Sequence, residues 1–190
     1  MTFSPREQVD ILKAWLALTL MFVFVVHRGF TFNPQIIGKY FFVIGLGFVL
    51  HELAHKLVAQ RYGFWAEFRS DDRLLMMSLA MAYLTGFFFA APGAVWWHGP
   101  ASQKEAGMIS LAGPVTNIAI AFMCLGVISL AGTLPPALLN LLRLSFQINA
   151  FLAFFNLLPI FVLDGAKIIK IYPIAWGVCI ATAGFLAFLI

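Results

Sequence analysis

Charged residues are scarce in this 190-residue chain: they make up 11% of it, whereas apolar residues make up 62%. A soluble domain carries about 25% charged residues, and so few polar side chains cannot cover a water-soluble core. The net charge of +4 comes from 12 basic and 8 acidic residues, an excess that in an apolar chain marks the cytoplasmic flanks of membrane spans. The composition therefore excludes a soluble domain, a disordered chain and a nucleic-acid-binding protein, and predicts a single membrane-embedded domain over residues 1–190.

Cysteine is nearly absent as well. Cys124 and Cys179 both lie inside apolar runs, and two such residues cannot form a disulfide framework or a cysteine zinc cluster. We interpret both as small buried hydrophobic residues.

Long apolar runs are the dominant feature. Five runs are long enough to cross the roughly 30 Å of bilayer hydrocarbon as helices of about 20 residues. A sixth, less regular run (74–97) contains the turn signal Pro92-Gly93 followed by a short strand-like segment. The predicted fold is an all-α polytopic membrane protein with about five to six transmembrane helices and a re-entrant hairpin or short β element between the second and the next span. The predicted spans are 11–27, 36–59, 107–131, 138–163 and 168–190.

The positive-inside rule decides whether the run 74–97 crosses the membrane. A full crossing places seven basic residues on the N-terminal side and five on the other, whereas re-entry gives nine and three. The count favours re-entry with a cytoplasmic N-terminus. Non-helical backbone at membrane depth must line protein or a water-filled cavity, so the hairpin is expected at a functional site.

The second span contains His51-Glu52-Leu53-Ala54-His55. On a helix, residues four apart lie about 40° apart around the axis and one turn along it, so both imidazoles can reach one zinc ion. Glu52 then stands beside the metal, where it can take a proton from bound water. An intramembrane carboxylate is costly and is presumed functional.

A zinc hydrolase needs a third protein ligand and keeps the fourth position for water. Asp164 is the acidic residue that ends a long apolar run, and with the re-entrant topology it emerges on the same side as His51 and His55. Glu67, in the charged segment twelve residues after His55, is the alternative third ligand.

Three motifs resemble those of the site-2 protease family of intramembrane zinc metalloproteases, here without a PDZ or CBS domain. They are His51-Glu52-x-x-His55, Ala112-Gly113-Pro114-x-x-Asn117 and Asn156-Leu-Leu-Pro159-Ile-x-x-Leu163-Asp164-Gly165. The order of the motifs is that of the family, although Phe161-Val162 and Ala166-Lys167 replace its more usual Pro-Pro and Gly.

The resemblance implies a role for each motif. His51, His55 and Asp164 would bind one Zn²⁺ ion, and Glu52 would be the general base. Asn156 and Asn117 would contact the substrate or stabilise the intermediate, although helix–helix hydrogen bonding is an alternative for both. Pro159 breaks the helix, which would bring Asn156 towards the metal.

The predicted function is hydrolysis of peptide bonds within or near transmembrane segments of membrane-anchored substrates. An unwound substrate can add to an exposed strand, for which Ala94, Val95 and Trp96 are the candidate edge. The expected partners are a transmembrane protein or peptide and the lipid bilayer, and the expected location is a prokaryotic plasma membrane with the active site open to the cytoplasm. The resemblance also implies regulated intramembrane proteolysis. The alternatives are a metalloprotease with a glutamate third ligand and a non-catalytic zinc transporter or sensor.

Overall fold

The computed structural model describes residues 2–28, 33–88, 93–160 and 162–188. Within these ranges four helices are long and apolar enough to cross a membrane, which confirms the predicted all-α polytopic architecture. The elements in chain order are α1 (Pro5–His27), α2 (Pro34–Ile44), a π-helical turn (Gly45–Val49), α3 (Leu50–Arg61), β1 (Trp65–Ser70), α4 (Asp72–Thr85), β2 (Gly93–His98), α5 (Gln103–Leu130), α6 (Pro136–Asn156), α7 (Asp164–Ile171) and α8 (Pro173–Phe188).

Polar residues fix where several helices begin. The side chains of Ser4, Asn33 and Asp71 accept hydrogen bonds from the first backbone amides of α1, α2 and α4. At the start of α5, Ser102 and Glu105 form a reciprocal capping box. Because the first amides of a helix have no partner within it, these caps stabilise the helices at their observed starts.

The last two predicted spans end differently from the expectation. The span 138–163 is helical only to Asn156, and helix resumes at Asp164. The span 168–190 is divided between α7 and α8, because Pro173 cannot donate the hydrogen bond that would continue α7. The four helices long enough to span are α1, the continuous helix from α2 through α3 (Pro34–Arg61), α5 and α6. The 16-residue helix α8 is apolar but shorter than these.

A two-stranded antiparallel sheet interrupts the helices. Strands β1 and β2 pair from Trp65 opposite His98 to Ser70 opposite Gly93. The predicted strand after Pro92-Gly93 is thus confirmed in β2. Strand β1 was not predicted, and it lies in the charged segment that contains Glu67. Because Ser70 and Gly93 are paired, the chain between them leaves and returns at the same place, as a re-entrant segment must. Residues 89–92, including Pro92, lie outside the described ranges.

A buried ion pair attaches α1 to α3 and the sheet. The Lys56 ammonium donates to Glu7 Oε2 at 2.5 Å and to the Thr2 carbonyl at 2.7 Å, and Glu7 Oε1 accepts from the Phe68 amide at 2.9 Å. Both charged side chains are inaccessible to solvent. Nearby, the Lys13 ammonium donates to Asp72, which lowers the pKa of that exposed carboxyl.

Helix α3 lies at the centre of the molecule. It packs against α5, which in turn packs along α6, and α6 contacts α8. One face of α3, which carries His51, Glu52 and His55, is therefore buried in protein, whereas Leu57 on the opposite face is exposed.

Candidate metal centre

The two histidines of the His-Glu-x-x-His motif lie on one face of α3, directly after the π-helical turn. His51 and His55 are buried, and their Nε2 atoms are 3.0 Å apart. Glu52 is also buried on the same helix. The predicted helical placement of the motif is therefore observed.

Asp164 reaches the two histidines from the start of α7. Its Oδ2 atom lies 3.1 Å from His55 Nε2 and 3.4 Å from His51 Nε2. The turn before α7 is tight enough to require glycine at Gly165, since a Cβ there would collide with the Leu157 carbonyl oxygen. His51, His55 and Asp164 are the group of potential metal ligands that the described residues bring together, with one ligand atom of each within 4.8 Å of the others.

The Nδ1 atoms of both histidines, which face away from the ligand group, are hydrogen-bonded. His51 Nδ1 is 2.5 Å from Asn117 Oδ1, and His55 Nδ1 is 2.6 Å from the Ile109 carbonyl oxygen. An amide oxygen and a backbone carbonyl can only accept, so each Nδ1 carries the proton and donates it. Both Nε2 atoms are then left with lone pairs, which is the form of histidine that binds a metal.

The space beside these lone pairs fits an ion. A Cβ on Gly113 would lie closer to the Nε2 atoms of both histidines than a non-bonded carbon can approach. Glycine therefore leaves open a position in contact with both. Glu52 Oε2 is buried without a hydrogen-bond partner in the described structure, as expected for a carboxylate that serves a water molecule. Two imidazoles and a carboxylate suit zinc.

Strand β2 forms one wall of this site. Opposite residues of an antiparallel pair exchange both ladder hydrogen bonds or neither. The Phe68 amide donates to Glu7 rather than across to its opposite residue Val95. The backbone groups of Val95 consequently point away from β1, and the Val95 amide faces the Glu52 carboxylate.

Because the direction of the backbone groups alternates from one residue to the next along a strand, those of Gly93 and Trp97 also point away from β1. Of the predicted edge residues Ala94, Val95 and Trp96, only Val95 therefore turns its backbone groups away from β1. The backbone groups of the other two face the partner strand. Trp96 is 66% exposed, and it lines a groove together with charged residues such as Arg69 and Asp71.

The two predicted asparagines occupy different positions. Asn156 is the last residue of α6, its Nδ2 donates to the Leu152 carbonyl, and it lines the cavity around Glu52. Asn117 is fully buried, and its amide group bonds His51, the Gly47 carbonyl and Asn149. Asn117 thus holds a predicted ligand and joins three helices, which matches the helix–helix alternative rather than a contact with substrate.

Glu67 is not near this group of ligands. It lies in β1, where its carboxylate accepts from Ser4 and pairs with Arg69. The alternative with a glutamate third ligand therefore has no support in the described residues. The sequence analysis missed two groups behind the histidines. The Ile109 carbonyl accepts from His55, and no sequence pattern marks it. Asn149 bonds Asn117, the partner of His51, and its position inside an apolar run was an available signal.

Two cavities open onto the ligands. One of about 70 Å³ is bounded by the ligands, β2 and the start of α7, including Lys167. The other, of about 530 Å³, is almost entirely apolar and extends between α1 and α6 to His51 and Glu52. Its apolar walls include Leu18, Phe22, Val25, Phe151 and Leu152.

The chain is similar to several known proteins. It is 36% identical over 178 residues to "Putative zinc metalloprotease MJ0611" of Methanocaldococcus jannaschii, an alignment that covers 93% of this chain and 90% of the relative. Two relatives with the same designation are Rip3 of Mycobacterium tuberculosis (28% over 173 residues, 83% of this chain and 39% of Rip3) and YwhC of Bacillus subtilis (29% over 142 residues, 66% and 64%).

No family model and no solved structure matches the chain. The assignment rests on the first relative, which is aligned over nearly the whole of both chains, together with the site geometry above. The chain belongs to the site-2 protease family of zinc metalloproteases.

Proposed function

We propose that this protein is an intramembrane zinc endopeptidase that hydrolyses peptide bonds within or near transmembrane segments of membrane-anchored substrates. The observation that carries the proposal is the position of Glu52. Its unpartnered carboxylate oxygen lies between a group of three metal ligands and an apolar cavity bounded by membrane-spanning helices.

His51, His55 and Asp164 are the proposed ligands of one zinc ion. The chemistry expected of bound zinc is polarisation of the scissile carbonyl and acidification of a water molecule. Glu52 accepts the proton of the attacking water and delivers it to the leaving amine, acting first as general base and then as general acid. Glu52 Oε2 has no hydrogen-bond partner in the described structure, so it can accept this proton without giving up another contact.

The proposed substrate conformation is an extended strand beside β2. The edge of β2 that faces away from β1 carries the backbone groups of Gly93, Val95 and Trp97, of which the Val95 amide faces Glu52, and it borders the ligand cavity. A substrate strand on this edge would pass directly over Glu52. Asn156, which lines both cavities, is placed to contact the substrate or the reacting carbonyl.

The apolar cavity supports a membrane-embedded substrate. Its 530 Å³ is sufficient for several large side chains, and its walls are formed mainly by leucine, valine and phenylalanine side chains. We place the N-terminus and the opening of the ligand cavity on the cytoplasmic side, because re-entry gives the stronger positive-inside asymmetry. A prokaryotic plasma membrane is the proposed location, supported by the archaeal and bacterial relatives.

Reconstitution of the full chain into liposomes tests this function. The substrate is a synthetic peptide of about 20 apolar residues with polar flanks, and zinc is measured by elemental analysis. Glu52→Gln should reduce cleavage by about 10²- to 10⁴-fold, the usual contribution of a general base, and leave about one zinc ion per chain. Glu105→Gln is the control, because glutamine also completes the capping box there.

Two results would contradict the proposal. Undiminished cleavage by Glu52→Gln would exclude the assigned base. Zinc flux across the liposome, undiminished by Glu52→Gln and without peptide cleavage by the wild type, would instead support a transporter.

A further inference from the structure

A chain of buried side-chain amides connects α6 to the metal ligand His51. Asn149 Nδ2 donates to the Ser145 carbonyl at 2.9 Å, and Asn117 Nδ2 donates to Asn149 Oδ1 at 2.8 Å. Asn117 Oδ1 then lies 2.5 Å from His51 Nδ1. Asn117 and Asn149 are both fully buried, so no water competes for these groups.

The direction of this chain is fixed at its far end. The Ser145 carbonyl oxygen can only accept, so Asn149 must turn its NH₂ group towards it and its oxygen towards Asn117. Asn117 must then present its NH₂ group to Asn149 and its oxygen to His51. The only arrangement that satisfies every group places the proton of His51 on Nδ1, because an unpaired buried polar group is costly.

The π-helical turn provides a second anchor for the same arrangement. Asn117 Nδ2 also donates to the Gly47 carbonyl at 3.0 Å. A Cβ on Gly47 would lie 3.2 Å from Asn149 Oδ1, so glycine allows α6 to approach this closely. π-Helical turns are frequent at functional sites, and here the turn brings a carbonyl to the residue that holds a ligand.

The second histidine is held by a different kind of group. His55 Nδ1 donates to the Ile109 carbonyl, which belongs to the backbone of α5 and cannot rotate. His51 depends instead on a side-chain amide that can turn by 180° and exchange its oxygen and nitrogen. The orientation of Asn117 must therefore be enforced by neighbouring residues.

We propose that Asn149 is a positioning residue of the metal centre: together with the Gly47 carbonyl it holds the Asn117 amide in one orientation, which keeps the proton of His51 on Nδ1 and the Nε2 lone pair directed at the ion. This inference rests on the proposed zinc site. It assigns to α6 a role in metal binding in addition to its role in lining the apolar cavity.

The test compares Asn149→Leu with Asn149→Asp in full-length protein in detergent. The readouts are zinc affinity, by competition with a chelator, and the ring ¹⁵N resonances of the four histidines. Leucine has a similar size but no amide, so Asn149→Leu should lower zinc affinity by about 10- to 100-fold and reduce the Nδ1–H signal of His51. The neutral carboxyl introduced by Asn149→Asp donates to Ser145 and accepts from Asn117, so it should restore both.

Two controls separate positioning from general damage. The His55 resonances should stay unchanged in Asn149→Leu, because the Ile109 carbonyl does not depend on Asn149. Asn140→Leu makes the same substitution at an exposed position of α6 and should leave zinc affinity unchanged.

Two results would overturn the inference. One is wild-type affinity and a wild-type His51 signal in Asn149→Leu. The other, which needs no variant to fold, is a wild-type His51 that carries its proton on Nε2 instead of Nδ1. Failure of the proposed function is distinguishable in the wild type alone, because the folded protein would then bind no zinc at all or bind zinc without cleaving the peptide.

Discussion

The two cavities that meet at Glu52 differ in size and in lining. The ligand cavity holds about 70 Å³ and is bounded by the metal ligands and by the backbone of β2. The apolar cavity holds about 530 Å³ and is bounded mainly by aliphatic and aromatic side chains of α1 and α6. The ligand cavity thus has the volume of an ion with its immediate ligands, whereas the apolar cavity has the volume of several side chains.

This difference indicates that chemistry and recognition are assigned to separate parts of the molecule. Polar groups with fixed hydrogen bonds surround the ligands, whereas apolar contacts without directional preference line the larger cavity. Substitutions in the ligand cavity should therefore reduce the cleavage of every substrate, and those at the metal ligands should also reduce zinc binding. Substitutions in the apolar cavity should change only the cleavage of membrane-embedded peptides.

The largest effect is expected from Gly113→Ala. The added methyl group would occupy the space beside the Nε2 atoms of both histidines, so zinc affinity should fall by at least about 100-fold and cleavage should be lost. Gly126→Ala is the matched control on the same helix, because a Cβ there meets no atom within 4 Å. Full zinc occupancy in Gly113→Ala would place the ion elsewhere.

A somewhat smaller effect is expected from Asp164→Ala. Two histidine ligands remain, so zinc should bind weakly and be lost during purification, whereas the wild type retains about one ion per chain. Glu67→Ala should retain zinc, because Glu67 pairs with Arg69 in β1. Elemental analysis of the three proteins makes the comparison, and the opposite pattern would favour the glutamate third ligand.

The smallest effect is expected from Val25→Phe, which fills part of the apolar cavity. Cleavage of a transmembrane peptide should fall by about 10-fold through a higher KM, the usual scale for a few misplaced methylene groups. Zinc content should stay at the wild-type value. Val9→Phe is the control, since Val9 is an exposed residue of the same helix. Equal losses for a transmembrane peptide and a short soluble peptide would remove the distinction between the two cavities.

Local patterns made part of this site predictable. The spacing of His51, Glu52 and His55 is fixed by helix geometry alone, so the sequence suffices to place them on one side of α3. Asp164 required only the topology, because charge counting indicated on which side of the membrane it emerges. The capping box of Ser102 and Glu105 is a local signal of the same kind, and it marks the start of α5 four residues before the predicted span.

The remaining features depend on residues far apart in the sequence. Strand β1 was missed because its six residues include Glu67 and Arg69, and they form a strand only through pairing with β2. The candidate edge in β2 was predicted, but the residues that turn their backbone groups outward could not be, because they depend on the pairing with β1 and on the direction of the Phe68 amide. Asn149 lies 32 residues from Asn117, and only the packing of α5 against α6 brings them together.

The pairing of Ser70 with Gly93 has a consequence for how such a protein can diversify. Because the two ends of the intervening segment are held together by the sheet, that segment can gain or lose residues without displacing β2, and longer loops carry only a small entropic cost. The described part of this segment, residues 71–88, can therefore behave as an exchangeable cassette at the border of the apolar cavity, provided that the packing of α4 against α1 is kept. New substrate preferences can arise in such a cassette while the hydrolytic residues keep their positions.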